Sequence, residues 1–202
     1  MGQTDTLISV TENVLGDAAV SFKSYKALAE RALDQVTDDE FFHTLDPESN
    51  SLAVMVKHIA GNLRSRWTDF LTTDGEKPDR ARDTEFEMMN ESRQTLMNAW
   101  DSGWQTLFDT LDSLRPDDLA RSVTIRSQPH TVVEAINRQL THYAYHVGQI
   151  VFLCKHLRAS DWKTLSVPRN RSAEFNKYLA EKIGAGEEPE RGVGSTKGFE
   201  AK

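Results

Sequence analysis

His142 and His146 stand four residues apart in THYAYHVGQ, inside a stretch whose apolar residues recur at helical spacing. On a helix, side chains at i and i+4 stack on one face about one turn apart. Two imidazoles placed this way can bind one metal ion. His58 lies in VKHIAGNLRSRW, an earlier stretch of the same kind, and a third imidazole from a facing helix would complete a three-histidine set. Such a set leaves coordination positions open, which separates a catalytic metal from a structural one. Chance also produces i, i+4 histidine pairs on long helices, and a lone histidine is more often hydrogen-bonded or solvated than a ligand. Spacing therefore leaves both readings open, and it does not select His58 at all.

The elements that must position these residues are legible as apolar stripes. Residues 8–36 read as a first helix, with Leu15, Ala18, Ala19, Phe22, Tyr25, Leu28, Ala29 and Leu33 at three- and four-residue steps. TDDEFFHTLDPESN breaks it, and His43 falls in the break as a loop residue. Asn50 or Ser51 can cap a second helix that runs to Leu71 through Leu52, Met55, Ile59, Leu63, Trp67 and Phe70. The long polar loop TTDGEKPDRARDTEF follows; it could cover a site, although solvated charge is the plainer reading. A third helix spans residues 87–114, with Met88, Leu96, Trp100, Trp104, Leu107, Phe108 and Leu111 on its stripe, and Pro116 marks its end. SVTIR reads as a short strand or extended segment. Thr131 is a candidate cap for a fourth helix through Val132, Ile136, Leu140, Tyr143, Val147, Ile150, Cys154 and Leu157. A shorter helix over 170–183 precedes a Gly- and Glu-rich tail, 184–202, expected to be loose. We expect an all-α four-helix bundle with short additional helices, forming a single domain over 1–183.

At about 100° per residue, the midpoint of His142 and His146 lies roughly 100° from its stripe centre, and His58 roughly 120° from its own. Ala135, Gln139, Gln149 and Leu153 share the side of the pair, and Asn62 and Asp69 that of His58. Both sets sit beside the core, where two helices could form a cleft. Asn62, one turn after His58, could orient a ligand or substrate. Glu134 and Arg138 continue the row of His142, so Arg138 could meet an anionic substrate; for all three, a polar helix face is the plainer reading. His130 and His156 read as structural or solvated.

Bulk properties limit the function classes. The chain has 202 residues, 38% hydrophobic and 27% charged, with a net charge of −7. That balance suits a folded domain and argues against nonspecific nucleic-acid binding, which rests on Lys and Arg neutralising phosphates. No apolar run approaches the roughly 20 residues of a membrane helix. The single cysteine, Cys154, excludes an intrachain disulfide and reads as a core thiol. With no export signal, a cytoplasmic location is expected.

SLAVMVKHIAGNLRSRWTDFLTTDGEKP, THYAYHVGQIVFL and DWKTLSVPRNRSAEFN are far more specific than H-x-x-x-H. Through them, and over residues 8–183, the chain resembles the DinB/YfiT-like superfamily, and more closely a bacterial subfamily of unknown function within it. The resemblance implies a four-helix bundle, usually a homodimer, whose metal ligands map onto His58, His142 and His146. It implies a divalent ion, zinc or nickel, and a low-molecular-weight thiol as cosubstrate. Relatives of that superfamily include thiol-dependent S-transferases and isomerases, and others described as metal-dependent hydrolases. We therefore expect a metal-dependent enzyme that activates a thiol toward a small-molecule substrate. A hydrolase that activates water is one alternative, and a non-enzymatic metal-binding or stress-response protein is another. No catalytic residue beyond the ligands is implied.

Overall fold

Ser51 sets the start of the helix that carries His58. Its hydroxyl accepts a hydrogen bond from the Val54 amide, 3.2 Å away, satisfying one of the donors a helix N-terminus leaves free. The structure is a computed structural model, and it describes residues 3–189 with 191, 192, 194, 196, 198 and 199. In chain order the helices are α1 (Gln3–Leu33), α2 (Asp38–Phe42), α3 (Leu52–Trp67), α4 (Arg93–Ser113), α5 (Val132–Arg158) and α6 (Ser172–Gly184). Strands β1 (Ser122–Ile125) and β2 (Gln128–Thr131) form a hairpin between α4 and α5. The chain is thus mainly helical, with only this two-stranded sheet among the described residues. No helix among them is long and apolar enough to cross a membrane.

The expected stripes are the core. Phe22 of α1, Trp67 of α3, Trp104 of α4 and Tyr143 of α5 are all fully buried and meet at its centre. Phe22 lies 5.8 Å from both Trp67 and Tyr143, and Trp104 lies 5.4 Å from Tyr143, in edge-on or tilted contacts. Gly103 lets α4 approach α3, since a Cβ there would fall 2.9 Å from Leu63 Cβ. α3 packs mainly on α4, and α1 mainly on α5; the α3–α5 and α1–α4 contacts are lighter.

The structure corrects several boundaries. The expected break after α1 contains α2, because Thr37 and Glu40 form a reciprocal capping box and Phe41 is buried beneath it. α3 stops at Trp67 rather than Leu71. Thr68 is extended and Asp69 takes a left-handed conformation (φ 48), where its carbonyl accepts from the Thr72 and Thr73 amides. α4 begins at Arg93 rather than 87, with Ser92 as its cap. The extended segment at SVTIR has a partner strand, QPHT, that the proline had disguised.

The hairpin turn, Arg126–Ser127, has positive φ at both residues (55 and 61), the conformation of a tight two-residue turn. The Asp74 carboxylate compensates by accepting from both of their amides, at 2.9 and 2.7 Å. This ties the loop after α3 to the hairpin. β2 ends at Thr131, whose hydroxyl caps α5 by accepting from the Glu134 amide, as expected.

Part of the tail expected to be loose, residues 190, 193, 195, 197 and 200–202, lies outside the described residues. In the described part, the Gly194 carbonyl accepts from Arg31, and Phe199 packs 5.2 Å from Phe175 of α6. Cys154 is fully buried, and burial pushes its thiol up to about 12, so it is an inert core group.

Candidate metal centre

α3 and α5 place three imidazoles against one another. The ring centres of His58 and His142 are 5.4 Å apart, those of His58 and His146 4.9 Å, and those of His142 and His146 4.7 Å. One ring nitrogen from each lies within 4.8 Å of the others, so the three could hold a metal ion. His58 Nε2 and His142 Nε2 are 3.3 Å apart. Two ligands of a tetrahedral ion with bonds of about 2.0–2.1 Å are separated by about 3.3 Å, so this pair matches one edge of such a site.

The remaining contacts favour ring nitrogens free to bind. Glu85 Oε2 is 2.9 Å from His58 Nδ1, and an ionised carboxylate can only accept, so His58 donates from Nδ1 and leaves Nε2 with its lone pair. His146 Nδ1 stands 2.9 Å from Gln149 Oε1, also an acceptor, and the same reasoning frees its Nε2. His142 Nδ1 is buried without a partner.

Electrostatics keeps two of the rings neutral. Burial, helped by the charges of His146, His58, Arg66 and Arg80, pushes His142 down to about 3. Burial and the charge of His58 bring His146 down to about 4, against the opposing bond from Gln149. A metal-binding imidazole must be neutral, and both are at pH 7. These shifts also make a stability statement. A histidine whose folded pKa lies below its unfolded value of about 6.5 stabilises the fold fully above that pH. That contribution is lost as pH falls through the folded value, at up to about 1.4 kcal/mol per pH unit for each group. Metal-free protein should therefore melt at progressively lower temperature from pH 6.5 towards 4. The slope should be shallower in His142→Ala, followed by circular dichroism. Equal slopes in the two proteins would count against the burial argument.

His58 is more enclosed than its helical position suggests, only 5% exposed. The cover comes from the long loop after α3, whose charges are not merely solvated. Within it, a 3-10 turn (Arg82–Phe86) brings Phe86 to 5.0 Å from the His58 ring. The same turn buries Glu85 against His58. Arg80 clamps Glu85 with two bonds, Nε to Oε1 and a terminal nitrogen to Oε2, both 2.8 Å. Burial alone would raise the Glu85 carboxyl; the bonds from His58 and Arg80 and the arginine charge hold it below the usual range instead. Gly61 makes room for this clamp, since a Cβ there would sit 2.2 Å from Glu85 Oε1.

A cleft of about 370 Å³ opens beside His58 and His142. Asn62, Gln139 and Arg138 are among the residues that line it. Asn62 Oδ1 also accepts from the Tyr143 hydroxyl at 3.0 Å, and that oxygen accepts from Trp67 Nε1 at 3.1 Å, which anchors the cleft floor to the core. His146 and Glu134 are not among the lining residues. Glu134 is engaged in the Thr131 capping box, with Oε2 accepting from the Thr131 amide at 2.7 Å. Asp69 lies beyond the end of α3 and is exposed. Glu85, Arg80, Arg66 and Gln149 were not singled out as site residues. The length of the loop was the one available signal for the first two.

A family model described as "Protein of unknown function (DUF1572)" matches residues 9–171. The chain belongs to this family. The match takes in α3, the covering loop and α5, and so contains all three histidines together with Glu85 and Arg80. A search of curated proteins finds no match.

Proposed function

We propose that this DUF1572 protein is a metal-dependent enzyme of the DinB/YfiT type. In this reading α1, α3, α4 and α5 form a four-helix bundle, and His58, His142 and His146 bind one divalent ion, zinc or nickel. The observation that carries it is the convergence of three imidazoles, one of them oriented by the buried Glu85–Arg80 pair. A carboxylate behind a metal-binding histidine fixes its tautomer and raises its basicity. A divalent ion held by neutral imidazoles keeps its full charge and lowers the pKa of a thiol or water beside it. The residues of the chain would do the rest: Phe86 and the 3-10 turn shield His58, and His58 and His142 border the cleft through which a small molecule could reach an ion.

Between the two chemistries we favour the thiol version, a thiol-dependent S-transferase acting on a small electrophile, by analogy with the superfamily resemblance. A homodimer is part of the same reading, and exposed Tyr145 and Phe152 on α5 offer it apolar surface. The test is turnover of small electrophiles by zinc- or nickel-loaded protein, with and without a low-molecular-weight thiol. Turnover only with the thiol is the expected result. Turnover of an ester or amide without thiol would replace the transferase with a hydrolase. No turnover of either kind by loaded protein would favour a binding role.

A further inference from the structure

We infer that the cleft beside His58 and His142 binds a small molecule through an oxyanion, a carboxylate or a phosphate, held by Arg82 and Arg138. Five arginines line this cleft: Arg66, Arg80, Arg82, Arg126 and Arg138. They are balanced by two carboxylates. Arg80 is committed to Glu85, while Arg66 and Arg126 share Glu76 at 3.0 and 3.1 Å. Arg66 also donates to the Gly75 carbonyl. Among the described residues Arg138 makes no side-chain hydrogen bond or ion pair, and Arg82 has only the Phe86 ring beneath it, 5.4 Å away. Arg66 Nε is buried with no acceptor. The chain as a whole carries −7, so this positive excess is local to the cleft.

Each of these features asks for the same partner. A guanidinium is a planar fork that matches the two oxygens of a carboxylate or phosphate. A concave wall of one sign concentrates ligands of the other. The volume of about 370 Å³ lies near the lower end of small-molecule sites, roughly 300–1,000 Å³, and so suits a small molecule. Arg82 comes from the covering loop and Arg138 from α5, so an anion between them bridges the loop to the helix that carries His142 and His146. The anion site itself stands on the arginines alone. That its ligand is the substrate or cosubstrate, with its other end towards the histidines, rests on the metal-enzyme reading.

Isothermal titration of the full chain, freed of metal on a chelating resin, tests this without any contribution from coordination to an ion. The probes are inorganic phosphate, succinate and the uncharged succinamide. Phosphate or succinate should bind and succinamide should not. Arg138→Gln and Arg82→Gln should each weaken the binding by about tenfold or more, the size of one lost hydrogen bond to a charged group. Both side chains are exposed, so the variants should fold as the wild type does. Binding of phosphate alone assigns the anion to a phosphate ester, and binding of succinate alone to an organic acid. No binding of either anion, equal binding of succinamide, or wild-type affinity in both variants would overturn the proposal and leave the three-histidine reading untouched.

Discussion

Replacing His142 or His146 by alanine is expected to abolish stoichiometric metal binding while leaving the helical far-UV signal in place. Wild-type protein, purified without an affinity tag or chelator, should carry about one divalent ion per chain by mass spectrometry. A three-imidazole site has no spare ligand, so loss of one ring leaves two ligands and open coordination that water must fill. Neither histidine belongs to the apolar core; both are half-buried beside it, and truncation should cost little helix. If both variants still bind one ion per chain, the assignment of the ligands is wrong. If the wild type takes up no metal even after incubation with zinc or nickel, the 3.3 Å contact between His58 Nε2 and His142 Nε2 is a direct hydrogen bond between rings. The protein would then be a metal-free binding module.

The second large effect is expected at Glu85. Glu85→Ala should weaken zinc binding by about 10- to 100-fold, the usual cost of removing a group that orients a ligand. It should also destabilise the fold by about 3–5 kcal/mol, because Arg80, whose side chain is 3% exposed, would keep its charge without its main partner. Glu85→Gln separates the two effects. Its amide can still accept from His58 but cannot receive both bonds from Arg80 as an anion, so affinity should fall less than in the alanine variant. Gly61→Ala reaches the same carboxylate from the other side, since the new methyl would collide with Oε1. It should loosen zinc binding without altering any charged residue. Competition against a zinc-chelating dye and thermal melting give both readouts. Wild-type affinity in Glu85→Ala and Gly61→Ala would show that the clamp does not tune the site.

How far the sequence revealed this arrangement depended on period. α1, α3, α4 and α5 each carry a long apolar stripe, and each was legible from it. α2 was not, because its five residues are too short to show a period; its only local signal is the capping-box spacing of Thr37 and Glu40. His142 and His146 share one helix, so a four-residue spacing brings them out; His58 came only through resemblance, because nothing local links it to a helix far along the chain. Asn62 and Arg138, singled out for their helical angle, line the cleft beside His58 and His142. Glu134, on the same row, is engaged in the capping box at the first turn of α5. Glu85 and Arg80 lie in an aperiodic loop, and their burial exists only once that loop has folded back over α3 and against the hairpin.

The histidines also sit on one of the lighter seams of the architecture. α3 is packed chiefly on α4, and α1 on α5, so the molecule is two helix pairs, and the lighter seam between them runs past the site. An ion bound by His58 and His142, 84 residues apart in the chain, would fasten that seam as a covalent cross-link does. Closing a loop of such length removes conformational freedom from the unfolded chain worth on the order of 4–5 kcal/mol in the cross-link model. Occupancy would then be felt as added mechanical cohesion between the pairs, on top of the aromatic core that already joins them in the metal-free chain.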